Sequence, residues 1–140
     1  MKQSVIHVSL LVRDYDEAIA FYREKLKFEL IEDTVLSESK RWVLIAPPGN
    51  STMTLVLAKA QTAEEISQVG MQAGSRVFLF LSTDNFQRDY QQMQSDGVEF
   101  VRKPETFDYG TVAVFADLYG NLWDLLEPAA GHAMYSRLMN

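Results

Sequence analysis

Cysteine is absent from all 140 residues, which excludes disulfides, thiolate metal sites and a cysteine nucleophile. Positive charge is scarce: 13 Lys and Arg stand against 19 Asp and Glu, for a net charge of −6. Such a chain has no basic stripe to neutralise phosphates, which argues against nucleic acid as a partner. Long apolar runs are missing too. The run from Val5 to Val12 is broken by His7 and Ser9 and ends at Arg13-Asp14, so it reads as a strand rather than a signal peptide. Nothing approaches the ~18 apolar residues of a membrane span. No G-x-S-x-G, P-loop or dinucleotide fingerprint occurs, leaving hydrolase, NTPase and NAD roles unsupported. These absences predict a cytoplasmic protein with neither membrane nor nucleic acid as partner. What remains is ordinary for a globular chain, with 47% hydrophobic and 23% charged residues. Its length predicts one domain that buries about two-thirds of its unfolded surface.

The chain says the same thing twice. Residues 5–32 run apolar strand, Asp, amphipathic helix and a further strand, and residues 76–103 repeat that order. Tyr15, Ile19 and Tyr22 superpose on Phe86, Tyr90 and Met93, each at a shift of 71 (86 − 15, 90 − 19, 93 − 22). Gly49-Asn50 and Gly120-Asn121 keep the same shift, and each pair precedes an apolar strand. Two copies are too few for a solenoid, so the halves are expected to pair into one pseudo-symmetric domain with a ligand cleft between them.

Local signals divide each half further. Val5–Val12 reads as a short strand buried on both faces. Asp14 with Glu17, and Asp84 with Gln87, have capping-box spacing, so a helix is expected after each Asp. The first helix presents Tyr15, Ile19, Tyr22 and Leu26 to the core; the second presents Phe86, Tyr90 and Met93 and stops at Gly97. Strands follow around Phe28–Glu32 and Val98–Arg102, then over Arg41–Ala46, Met53–Ala58, Thr111–Ala116 and Leu122–Leu126. Each half is therefore βαβββ. Thr62 and Glu65 predict a short linking helix over roughly 62–71, and Tyr135 and Leu138 suit a last docked helical turn. The predicted architecture is α+β: two βαβββ modules, 4–60 and 75–128, in one domain over 1–140.

Duplicated βαβββ, the pattern D-x-x-x-A-x-x-F-Y after the first strand (Asp14, Ala18, Phe21, Tyr22), and a Gly-Asn turn before the last strand together resemble the vicinal oxygen chelate superfamily. That group holds glyoxalase I, bleomycin- and fosfomycin-resistance proteins and extradiol dioxygenases. The residues that carry the likeness are IHVSLLVRDYDEAIAFYREKLKFELIE and VFADLYGNLWDLLEP, and the pattern covers residues 4–128. The resemblance implies a curved mixed sheet forming a cup, with helices outside, and commonly a homodimer. It also implies up to four metal-ligand slots on the first and last strands of each half. Here they hold His7, Val56, Phe78 and Asp124. A catalytic divalent site needs about three protein ligands, and only His7 and Asp124 qualify. The reading with no cofactor is therefore preferred, the alternative being one divalent metal on His7 and Asp124. Glu127 alternates to the other face of its strand from Asp124.

The expected function is metal-independent binding of a small, partly apolar organic ligand. Val56, Phe78, Phe80, Trp42 and Tyr109 would supply contact area, and His7 and Asp124 would meet in the cup and fix orientation. Two alternatives stand: a metal-dependent lyase, epimerase or dioxygenase using His7 and Asp124 as catalytic candidates, and a non-catalytic structural or regulatory dimer. Phe78 and Phe80 are expected to share a face. Trp123 should pack under a helix, and Arg41 and Arg76 should be solvated edge charges. The loop Glu105–Gly110 reads as a lid or a plain hairpin connection.

Overall fold

Two units, Met1–Gln72 and Ala73–Asn140, make up the chain in a computed structural model that describes residues 1–49, 52–133 and 136. The first runs β1 (His7–Val12), α1 (Tyr15–Glu24), β2 (Glu29–Val35), β3 (Arg41–Ala46), β4 (Thr54–Lys59) and α2 (Ala63–Gln68). The second runs β5 (Val77–Ser82), α3 (Phe86–Ser95), β6 (Glu99–Phe107), β7 (Gly110–Ala116) and β8 (Leu122–Pro128). The sheets have the same topology, β1-β4-β3-β2 and β5-β8-β7-β6. In each, the first strand pairs in parallel with the last and the other pairings are antiparallel. The α+β class built of two βαβββ modules is thus the observed fold.

One face of each sheet carries the helix. In the first module Leu10, Val12, Val43, Ile45, Leu55 and Leu57 are buried with Ala18, Ile19 and Tyr22 of α1. Each fully buried side chain of this size contributes roughly 1.5–3 kcal/mol. In the second, a ladder of rings runs from helix to sheet. Phe86 stacks on Tyr90 at 5.5 Å, Tyr90 meets Phe100 at 4.6 Å, and Phe100 and then Trp123 meet Phe115 at 5.8 Å each. Trp123 is therefore on the helix-covered face, as its alternation with Asp124 predicts.

Helix ends follow local chemistry. Asp14 caps α1 by accepting from the Glu17 N–H at 2.9 Å, and Thr62 caps α2 by accepting from Glu65 N at 3.1 Å. The cap of α3 is Asn85 rather than Asp84: its side chain accepts from Arg88 N at 3.1 Å, while Asp84 pairs with the Arg88 guanidinium at 2.9 Å. Beyond α3, Val98 N bonds Met93 O at 2.9 Å and Gly97 N bonds Gln94 O at 3.0 Å, the Schellman arrangement with Gly97 at φ 86°. The first module reaches the same left-handed conformation with Lys27, at φ 61°.

Several expected boundaries move. β1 is not buried on both faces, because His7 and Ser9 are exposed where Leu10 and Val12 are buried. β2 extends to Val35, and α2 covers only Ala63–Gln68. β6 passes through Pro104 to Phe107, with register irregularities around it; an edge strand tolerates a proline because its outer N–H has no partner to lose. Phe107 pairs with Gly110, so Glu105–Gly110 is a tight hairpin with Asp108 and Tyr109 at its turn, not a lid. Asn50, Tyr135 and Leu138 lie outside the described residues.

Candidate functional site

The face of each sheet away from its helix carries His7, Trp42 and Val56 in the first module and Phe80 and Asp124 in the second, and strand pairing fixes which of them are neighbours. In the first module His7 is in register with Thr54, Ser9 with Val56 and Leu11 with Ala58. Val56 also pairs with Leu44 of β3, and Trp42 of β3 pairs with Thr34 of β2. Paired residues point to the same side of a sheet, so His7, Val56 and Trp42 share this face. The His7 and Trp42 rings meet edge-to-face at 5.8 Å. His7 Nδ1 shares a 2.5 Å hydrogen bond with the Thr54 hydroxyl, which leaves Nε2 as the open polar atom of the ring. Thr54 is a partner that sequence reasoning missed, although it opens the strand of the Val56 slot.

In the second module Phe80 pairs with Asp124 of β8, Asp124 with Val114 of β7, and Val114 with Arg102 of β6. One row thus crosses four strands with a ring, a carboxylate, a methyl surface and a guanidinium. Arg102 escaped sequence analysis because β6 was expected to end there and its pairing was not foreseen. The register of β5 on β8 slips between Val77 and Leu79. Phe78 therefore sits in an irregularity, and simple alternation with Phe80 does not set its face. Tyr109 lies at the β6–β7 turn, stacked on Phe107 at 5.3 Å and edge-on to His132 at 6.5 Å. Glu127 points elsewhere than Asp124: its carboxylate accepts from Phe86 N at 2.7 Å, at the start of α3.

Arg41 is not a solvated edge charge. Its guanidinium donates to Asp33 at 3.0 and 2.6 Å and to Asp16 at 3.0 Å, and lies 5.1 Å from the Tyr15 ring centre. The hydrogen bond from Arg41 lowers the Asp33 pKa. This clamp joins α1, β2 and β3 and is structural. Arg76 is exposed, as expected.

Burial raises the Asp124 pKa above its ordinary value of 3.8, and Arg102 pulls it back only in part. The native state then binds more protons than the unfolded chain above that value, so ionising Asp124 costs stability as pH rises toward neutral. Asp124→Asn is expected to match the parent near pH 3.5 and to melt at a higher temperature than the parent at pH 7. Thermal scans at the two pH values check this; a variant less stable than the parent at pH 7 contradicts it.

Metal ligation by the four slots can be judged from their chemistry. The slots offer one imidazole, one carboxylate, a Val and a Phe, against the about three ligands a catalytic divalent ion needs. Among the described residues no group of three or more His, Asp or Glu is placed to hold an ion. Counted by themselves, the four slots fall short of that number.

Comparison with known proteins adds to this geometry. A sequence model described as Glyoxalase/Bleomycin resistance protein/Dioxygenase superfamily matches residues 4–125. An uncharacterized protein of Shewanella frigidimarina is 62% identical over 128 residues, 91% of this chain and 95% of that one. The crystal structure of UcmS2 superposes with TM-score 0.79 at 31% identity, covering 91% of this chain and 99% of the other. That of TnmS3, an antibiotic binding protein from Streptomyces sp. CB03234, does so with TM-score 0.75 at 30% identity, over 91% and 98%. Among the described residues no helix is long and apolar enough to cross a membrane.

Proposed function

The chain belongs to the Glyoxalase/Bleomycin resistance protein/Dioxygenase superfamily, and from that premise we propose that it is a cytoplasmic homodimer that binds a small, partly apolar organic molecule without a metal. One observation carries this reading: in each module the sheet face away from the helix sets an ionisable group beside an aromatic ring. On the first, His7 meets Trp42, with Val56 on the same face; on the second, Asp124 pairs with Phe80. A mostly apolar lining with few orienting polar groups is what small-molecule sites use. A ligand stacks on the rings for contact area and takes its orientation from the polar group of the face it meets, His7 Nε2 on the first or the Asp124 carboxylate on the second. The likeness to TnmS3, itself an antibiotic binding protein, supports the same class of ligand.

Native mass spectrometry on freshly purified protein tests the proposal. The expected spectrum shows two subunits, less than one metal ion per chain, and a small organic adduct in untreated samples. One tightly held Zn²⁺, Ni²⁺, Mn²⁺ or Fe²⁺ per chain overturns it. Placing Glu at Val56 and His at Phe78 completes the ligand count and is expected to raise metal affinity, read by isothermal titration with Ni²⁺.

A further inference from the structure

We propose that the first module holds a second ligand site, a cavity beside α2 that takes a small carboxylate with a compact apolar body. The Arg13 guanidinium receives the carboxylate, and Ile66 and Val69 cover the body. This site lies apart from the His7 cluster. Arg13 and Ala60 directly follow the ends of β1 and β4, whose starts carry His7 and Thr54, so the length of a strand, about 20 Å, separates the two places.

The helix at this cavity is unusual in what it lacks. An ordinary surface helix buries one apolar face against the core. No residue of α2 is buried, and its Ile66 is 57% exposed. Hydrogen bonds to β1, on either side of α2, tie the segment down instead. Ahead of the helix, Ala60 N donates to Val12 O at 2.9 Å. Beyond it, the Gln72 side chain grips the same strand, donating to Ser9 O at 2.9 Å and accepting from Leu11 N. Residues 60–72 thus form a strap fastened at both ends. Within it, the turns of α2 are held by their own cap, Thr62 accepting from Glu65 N and Glu65 from Gln61 N. Where a core would normally fill the space, there is a cavity of about 340 Å³ lined by Arg13, Ala60, Ile66 and Val69. Small-molecule sites span roughly 300–1,000 Å³.

The lining decides what the cavity takes. Ala60, Ile66 and Val69 offer hydrocarbon, and Arg13 brings a planar fork of donors that matches a carboxylate at two points. A cationic ligand meets the guanidinium as a like charge, and a neutral one forgoes the charge-assisted bonds. A carboxylate on an apolar body meets both surfaces at once. Its body also takes Ile66 out of water, giving α2 the buried face that it lacks.

Two probes with one ring system test this: 2-naphthoate, charged at neutral pH, and 2-naphthamide, neutral. Each is titrated into isotope-labelled protein and followed by NMR. The parent is expected to bind the acid about tenfold more tightly than the neutral probe. Backbone chemical-shift changes should centre on Arg13, Ala60, Ile66 and Val69, with slower hydrogen exchange across α2. Arg13→Gln is expected to erase the preference for the acid while leaving 2-naphthamide affinity in place. Ile66→Ala should weaken both probes, by about fivefold. Both side chains are exposed, so both variants are expected to keep the parent's thermal midpoint. Shift changes centred on His7 and Trp42 overturn the site and credit the acid to the open sheet face. Equal affinity of the parent for both probes, or a preference retained in Arg13→Gln, overturns it as well. So does absence of 2-naphthoate binding at millimolar concentration, and that result leaves the open-face reading to its own test.

Discussion

Gly110→Ala is expected to cost on the order of 4 kcal/mol, a fall in thermal midpoint of about 10 °C or more. Gly110 closes the β6–β7 hairpin opposite Phe107 and pairs on its other side with Pro128 of β8. Its φ of 151° is open to glycine and strained for other residues. A Cβ there would lie 2.3 Å from the Glu127 carbonyl oxygen and 3.1 Å from its carbon. Both are backbone atoms, which no rotamer change can move, so relief requires parting β7 from β8. Gly49→Ala separates strain from collision. Gly49 also has positive φ, at 92°, but nothing lies within 4 Å of its added Cβ, so only the backbone penalty of about 1 kcal/mol applies. Thermal denaturation of the two variants checks the contrast; equal losses would show that the close approach at Glu127 carries no energy.

Asp117→Ala is expected to destabilise by about 3–5 kcal/mol. Asp117 is 6% exposed and its neighbour Asn121 3%. One carboxylate oxygen accepts from Tyr119 N at 3.0 Å and Asn121 N at 2.9 Å. The other accepts from Asn121 Nδ2 at 3.0 Å and Trp123 Nε1 at 3.4 Å. Alanine removes the acceptor that these four donors share in the buried turn that leads into β8. Asparagine is no rescue: whichever way its amide is turned, its NH₂ faces two donors. Asp117→Asn should therefore lose most of what alanine loses. Chemical denaturation of both variants checks this, and near-parent stability for asparagine would mean that the turn does not depend on an acceptor at both positions.

Much of the fold was legible because the repeat and the alternation of buried residues are properties of the chain itself. Tyr15, Ile19 and Tyr22 mark one helix face, Phe86 and Met93 another, and Gly97 stands where a helix must stop. The errors cluster where two local solutions compete. Asp84 and Asn85 are both good caps, and here Asn85 takes the cap while Asp84 pairs with Arg88. Pro104 looks like a strand ending, yet on the edge strand β6 it stays in the sheet. The candidate site was legible as far as alternation held. His7, Val56, Trp42, Phe80 and Asp124 fall on open faces by simple parity, whereas Phe78 lies at a register slip that no residue type announces. Arg102 was missed and Arg41 misjudged for one reason: a charged side chain's role depends on what the neighbouring strand brings beside it.

The parallel pairing at the edge of each sheet also dictates an order of assembly. His7 meets Thr54 across 47 positions (54 − 7), and Val77 meets Leu122 across 45 (122 − 77), whereas the β6–β7 hairpin closes between Phe107 and Gly110. Hairpins close over short loops, while the long closure pays its chain entropy before any contact repays it. During synthesis β1 emerges first and waits, its edge unpaired, until the last strand of its own module has been made. β5 repeats that wait. The duplication thus hands the chain the same kinetic bottleneck twice, and variants that weaken β4 or β8 should slow folding by prolonging it.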